Sequence, residues 1–413
     1  MSLHCLELCD FREDPFTLVP KHAASIWVER NAIVVPDKSK NLREFLMKIC
    51  TSPIFGVGSG VTEFTSIVGD LGSGKSHTMI HVCSRIKEMY PNAVVVYLPT
   101  LQVSTKVMFC DIFFEIMRNI GIKELERISE KTNAILDSKV QAKLKTMPKK
   151  KLLELQERCS QQGKSVHDLI ASEIFEEIYA DKYEDISRAY NLIAAISNFK
   201  DNMNEVFDWF VGKKKLDFSW KGTEIRMEKI TSDYEAEKTL GNLINALLAL
   251  RDEKDVPTVS AFILMIDQFD RLARFSPVQW GSITDSFAEL LREVPEGFCL
   301  ITGFMGEASD LEAIAGKPLA DVLTSPPIWL EAFSDDEAAD FLRKLLEAYR
   351  KEKSKKPKAF PFRNDSITEI VNRTPNKIPR KLIENARKVF YYACSEGILD
   401  KRQITAADVE AVL

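Results

Sequence analysis

One run, Gly69-Asp70-Leu71-Gly72-Ser73-Gly74-Lys75-Ser76, constrains this chain more than any other stretch. It matches G-x-x-x-x-G-K-[ST] in full. It stands between a short β-rich run, Ser66 to Val68, and a segment where Met79, Ile80, Val82, Cys83 and Ile86 recur at helical spacing. Glycines let successive backbone N–H groups turn inward, and the helix start adds the positive end of its dipole, so such a loop suits phosphate. In that reading Gly69 to His77 is the nucleotide-binding segment, with Lys75 reaching the β- and γ-phosphates and Ser76 offering a hydroxyl to magnesium. The plain alternative is a glycine turn joining strand to helix. The complete motif in a strand–loop–helix setting favours the cradle.

Further strands follow from the pattern. Residues 92–98, "NAVVVYL", are a second apolar run, and "VMFCDIFFEIMRNI" after it is helical in spacing. Strand character is then absent until 261–267, "AFILMID", which has the continuous apolar look of a buried parallel strand. Asp267 stands at its carboxyl end, where α/β folds place ligands, and its carboxylate suits a magnesium ion. A strand-end aspartate capping the next turn is the other reading. A helix to Arg292, a Pro-Gly break and a strand from Phe298 to Thr302 come next. Thr302 either presents its hydroxyl near the γ-phosphate or is an ordinary β-branched strand residue. A fifth strand fits 327–333, "PIWLEAF", and the helix after it opens with Ser334 as N-cap and first-turn acids Asp335, Asp336 and Glu337.

This order resembles the AAA+ ATPases, and within them the initiator-like group related to origin-recognition ATPases. The resemblance covers 1–120 and 255–413. It implies an α/β P-loop NTPase with a five-stranded parallel sheet, here with a long helical insertion, and a C-terminal helical lid. "DPFTLVP" and "WVERNAIVV" resemble the lead-in that covers the adenine in this family, with Glu29-Arg30 where Gly-Arg is usual. "NKIPRKLIENARKVF" resembles the lid motif Gly-x-Pro-Arg, whose arginine contacts the γ-phosphate; that role carries over to Arg380, with Lys377 in place of the glycine. "ITAADVEAVL" resembles the closing lid helix, with Thr405 as N-cap.

Two departures bear on catalysis. The family's water-polarising glutamate after the strand acid is Gln268 here. The stretch from Gly303 to Pro327, where the intersubunit arginine finger normally stands, holds no arginine; Lys317 is its one cation. Arg271 and Arg274 substitute by type and not by position.

Residues 121–255 are too long for a loop and carry helical spacing almost throughout. "FDWFVGKKKLDFSW" breaks that rhythm, with Gly212 and a lysine run as a turn between aromatics. This insertion, with its Trp209-x-x-Gly212-Lys213 element, is similar to that of ATPases from bacterial phage-defence gene clusters of the BREX type. From Lys139 to Lys164 there are eight basic and two acidic residues; from Arg350 to Arg363, seven and one. Each run is either solvated surface or a sequence-blind contact to a nucleic-acid backbone.

The net charge of −5 gives no general attraction to nucleic acid or membrane, and no apolar run is long enough to span a bilayer. Eight scattered cysteines without a C-x-x-C, and a start lacking the features of a secretion signal, fit a reducing cytoplasm; His4, Cys5 and Cys9 lack the second half of a metal site. The expected division is 1–120 lead-in and first part of the core, 121–255 insertion, 256–334 second part of the core and 335–413 lid. The expected function is an ATP- and magnesium-dependent assembly switch, homo-oligomeric, acting on DNA or a partner effector protein. Asp267 and Gln268 stand at its chemistry, and hydrolysis is slow. The rival is a non-hydrolysing ATP-binding signalling scaffold. A nucleotide or small-molecule kinase with the same cradle has no support here, since such enzymes are compact and carry an arginine-rich lid over the phosphates.

Overall fold

The computed structural model describes residues 3–12, 14–16, 62–100, 109–162, 165–179, 186–220, 223–294, 296–306, 317–321 and 327–413. Most of the lead-in, including Glu29-Arg30, and most of the arginine-free stretch lie outside these residues.

A five-stranded parallel sheet forms the centre, in the order β2-β5-β6-β1-β7. Its strands are β1 (Glu63–Val68), β2 (Val94–Leu98), β5 (Phe262–Ile266), β6 (Phe298–Phe304) and β7 (Ile328–Trp329). Every residue of β1, β5 and β6 is buried, as their unbroken apolar runs require of strands covered on both faces. The expected fifth strand is much shorter than 327–333, because only Ile67 and Val68 offer it a paired edge. The fourth, expected to end at Thr302, runs on to Phe304, opposite Val68.

Side chains alternate across the sheet and sort into two cores. On one face Ile67, Ile263, Met265, Cys299 and Ile301 pack against Met79, Val82, Cys83 and Ile86 of α2 (Lys75–Met89). On the other, Phe64, Val68, Phe262, Leu264, Ile266, Leu300 and Phe304 join one continuous cluster with the insertion helices. These include α3 (Phe109–Thr146), α6 (Ile186–Ser197), α7 (Met203–Phe210) and α8 (Asp233–Ala249), together with α9 (Pro277–Glu293) after β5. The insertion is helical as expected, but it is the second layer of the core and not a body of its own. α3 crosses the expected boundary at 120/121, breaking only at Gly121, where φ is 72°. Its far end packs with α4 (Lys149–Gln162) and α5 (Val166–Tyr179) in a small satellite core around Val140, Leu155 and Ile170.

The expectation that no strand lies between 98 and 261 is corrected. Leu216–Trp220 (β3) and Thr223–Met227 (β4) form an antiparallel hairpin. Both alternate buried and exposed residues, a period-2 signal partly hidden by the lysines before it. The Trp209-x-x-Gly212-Lys213 element is the corner leading into it. Trp209 Nε1 donates to the Glu228 carbonyl (2.8 Å). Gly212 has φ 72°, and an added Cβ would lie 2.2 Å from the Phe114 ring, so the corner tolerates only glycine.

The lid contains α11 (Asp335–Ala348), α12 (Asn364–Asn372), α13 (Pro379–Ser395) and α14 (Ala406–Glu410) around a third core. The first residues of the chain belong to it, and not to the sheet. Cys5, Cys9, Phe11 and Phe16 are buried there, and Phe16 meets Phe362 and Phe390 edge-on or tilted. Arg350 lies over the Phe11 ring (5.2 Å) and donates to the carbonyls of Cys9 (3.1 Å) and Phe360 (2.7 Å). Tyr391 donates to Asp14 (2.5 Å). A buried guanidinium bonded to carbonyls needs this strap to stay in place.

Candidate functional site

The carboxyl ends of β1 and β5 meet on the α2 face of the sheet. The loop leaving β1 runs from Gly69 to Gly74 and enters α2 at Lys75. Gly72 and Gly74 have φ of 89° and 104°, the left-handed region that glycine enters without strain. At Gly69 an added Cβ would stand 2.8 Å from Ser73 Oγ and 3.0 Å from the Leu330 carbonyl, so the turn closes tightly on β7. Asp70, Leu71 and His77 are exposed, Leu71 to 63%.

Lys75 Nζ donates to the carbonyls of Gly69 (2.7 Å) and Asp70 (2.8 Å), which holds the ammonium under its own loop. Burial lowers its pKa; Asp267, Asp270 and Asp70 oppose that shift. Ser76 donates to Asp267 Oδ2, a bond that joins the start of α2 to the end of β5. Asp267 is only 3% exposed. Burial raises the pKa of its carboxyl, against the hydrogen bonds from Ser76, from the Gln268 N–H (2.8 Å, to Oδ1) and from Tyr97.

Tyr97 escaped the sequence reading. Its hydroxyl donates to Asp267 Oδ2 at 3.2 Å. The signal was the alternation of β2: Tyr97 pairs with Met265 and so faces α2, as Asp267 does.

Gln268 has φ 55°, unusual for a residue with a side chain, and its Oε1 is buried without a hydrogen-bond partner among the described residues. Arg271 follows on the 3-10 turn Phe269–Arg274 and donates to Thr100 Oγ1 at 3.4 Å, beyond the end of β2. Asp270 Oδ1 accepts from the Met305 N–H (3.3 Å) and pins the end of β6.

Thr302 is not brought to this cluster. It is level with Ser66 and Ile266, fully buried, and its hydroxyl is hydrogen-bonded to that of Ser66 at 2.8 Å. Alternation puts it on the face opposite α2 with Leu300 and Phe304; Gly303 is the β6 residue beside Asp267, 3.1 Å from Oδ1 by its notional Cβ.

The lid reaches the loop directly. The Arg380 N–H donates to the Gly72 carbonyl (3.3 Å), and a Cβ on Gly72 would meet Arg380 Cβ at 2.6 Å. The Arg380 side chain is exposed, with Nε 3.4 Å from Glu384. Lys377, standing where the resemblance has glycine, has φ 27°; it keeps that position through a 2.8 Å ion pair with Asp335 and by accepting the Phe333 N–H at 3.2 Å.

These residues fit a magnesium-bound nucleotide. Ser73 Oγ is buried without a partner among the described residues, Gly69 and Gly72 leave no room for side chains, and Ser76 with Asp267 offers the oxygen donors magnesium prefers.

No protein-family description matches the chain, and no curated protein matches it. Solved structures with a similar chain path include three from other organisms. Cdc6p from Pyrobaculum aerophilum is 13% identical with a TM-score of 0.44, over 88% of this chain and 65% of that one. The ORC2 protein of Aeropyrum pernix in its ADP form is 9% identical with a TM-score of 0.47, over 98% and 72%. Domain III of the replication initiation protein DnaA of Thermotoga maritima is 12% identical with a TM-score of 0.40, over 94% of both. This chain therefore spans just under two thirds of the Cdc6p chain. Among the described residues no helix is long and apolar enough to cross a membrane.

Proposed function

We propose that this chain binds ATP with magnesium and works as a nucleotide-dependent assembly switch with slow hydrolysis. The observation that carries the reading is a single junction. Lys75, Ser76 and Asp267 converge below the loop, and the lid's Pro379-Arg380 turn rests on Gly72 above it. Backbone N–H groups and Lys75 would hold the phosphates, Ser76 and Asp267 would hold the magnesium, and Arg380 would meet the γ-phosphate. Magnesium supplies charge neutralisation at the phosphates. A change at the γ-phosphate then alters how the lid sits, and the chain presents a different surface to a second copy of itself, to DNA or to an effector protein. The exposed Lys149, Lys150 and Lys151 are one place where a nucleic-acid backbone fits.

Gln268 supports a second reading, an ATP-holding scaffold. An amide is uncharged and a poor base, and its oxygen is enclosed here. The two readings differ in turnover: a switch releases phosphate faster with its partner present, and a scaffold does not.

Fluorescent-nucleotide titration tests the shared premise. Lys75→Ala removes a charge-assisted contact of about 1.5–3 kcal/mol, so affinity is expected to fall at least tenfold. Unchanged affinity would show that the cradle does not bind the nucleotide.

A further inference from the structure

Asp267 is held by more donors than a metal-binding carboxylate needs. Oδ1 accepts the Gln268 N–H at 2.8 Å, and Oδ2 accepts both the Ser76 hydroxyl and the Tyr97 hydroxyl, the latter at 3.2 Å. The Asp267 N–H in turn donates to the Leu98 carbonyl (2.9 Å), so the backbone of β2 and a side chain of β2 grip the same residue.

We propose that Tyr97 is a positioning residue for the divalent cation, acting through Asp267. The inference rests on the ATP–magnesium reading above. A serine hydroxyl carries one proton and two lone pairs, so Ser76 Oγ can face a cation while its proton stays on Asp267 Oδ2. Tyr97 is the second side-chain donor on that oxygen among the bonds described here, and the one that does not itself face the cation. Without it the carboxylate keeps the Gln268 N–H on Oδ1 and the Ser76 hydroxyl on Oδ2, but loses the one bond that ties Oδ2 to β2, and its χ2 torsion has only a shallow preference of its own. With Tyr97 in place Oδ2 stays aimed at Ser76, and the two oxygen donors remain side by side. A purely structural role for the hydroxyl, satisfying a buried phenol, predicts no link to the cation.

That difference sets the experiment. A fluorescent ATP analogue is titrated into the full chain and into Tyr97→Phe, in EDTA and across a magnesium series. Val95→Ala, on the same face of β2 and clear of Asp267, controls for loosened packing. The expected result is unchanged affinity in EDTA and about a tenfold rise in the magnesium needed for half-maximal tightening in Tyr97→Phe, the equilibrium equivalent of one hydrogen bond to a charged group. Val95→Ala should not share that shift. An identical magnesium dependence in Tyr97→Phe, an equal loss with and without magnesium, or the same shift in Val95→Ala overturns the role. Failure of the unaltered chain to bind the analogue in either buffer overturns the ATP reading and this inference with it.

Discussion

Gln268 adopts a left-handed backbone while enclosing an amide oxygen that has no partner among the described residues. Such a conformation costs roughly 1–2 kcal/mol in a residue with a Cβ, and it persists because Asp267 on one side and the 3-10 turn on the other determine it. Its backbone N–H serves Asp267, so the position matters to that carboxylate whatever the side chain is. Gln268→Glu replaces the amide by a base in the same place. Phosphate release at saturating ATP and magnesium is expected to rise about a hundredfold, the range general bases supply. Burial lifts the pKa of the new carboxyl, so the gain should grow as pH rises through that value, a limb the glutamine form lacks. Equal rates for both forms would show that another residue handles the water.

At the scale of elements, the lid's last helix shows how side chains set an end. Thr405 donates its backbone N–H and its hydroxyl to Asp408 Oδ2, each at 2.8 Å. Arg402 adds two parallel bonds, at 2.5 and 2.8 Å. The Arg402 hydrogen bonds, foremost, hold the Asp408 carboxyl below the usual carboxylate range, against a smaller effect of burial. A carboxyl depressed in the folded state adds stability that is whole above its unfolded value of about 3.9 and is lost as pH falls through the folded one. Asp408→Ala is expected to cost about 1 kcal/mol at neutral pH, as loss of a capping side chain does, and much less in strong acid. Urea unfolding of both forms at the two pH values measures it; a pH-independent difference would mean the carboxylate charge is irrelevant.

For the whole molecule, three cores meet at one loop. The sheet supplies Asp267, α2 supplies Lys75 and Ser76, and the lid supplies Arg380, with the first residues of the chain fastened to the lid. ATP with magnesium is therefore expected to enlarge the particle seen by light scattering. Arg380→Ala is expected to blunt that growth while leaving nucleotide affinity nearly intact, because its backbone contact to Gly72 survives. An unchanged monomer at saturating ATP would end the assembly reading without touching the nucleotide site.

The loop, its strand and its helix were legible because Gly69 to Ser76 is local: glycine conformation and helix entry depend on neighbours in sequence. So were the buried strands, whose apolar runs report burial on both faces, and the caps at Ser334 and Thr405, where a side chain meets a backbone a few residues away. What depended on packing was hidden. The face on which Thr302 lies follows from register against Ser66 and Ile266, and a one-residue change of register reverses it. Tyr97 meets Asp267 across 170 residues of chain, and the strap of Phe11 and Phe16 meets the lid across still more. The insertion was legible as helical because its apolar residues recur three and four apart, but amphipathicity says only that a face is buried, not against what. Local chemistry wrote the cradle into the sequence; which side chains surround it was decided when the layers closed.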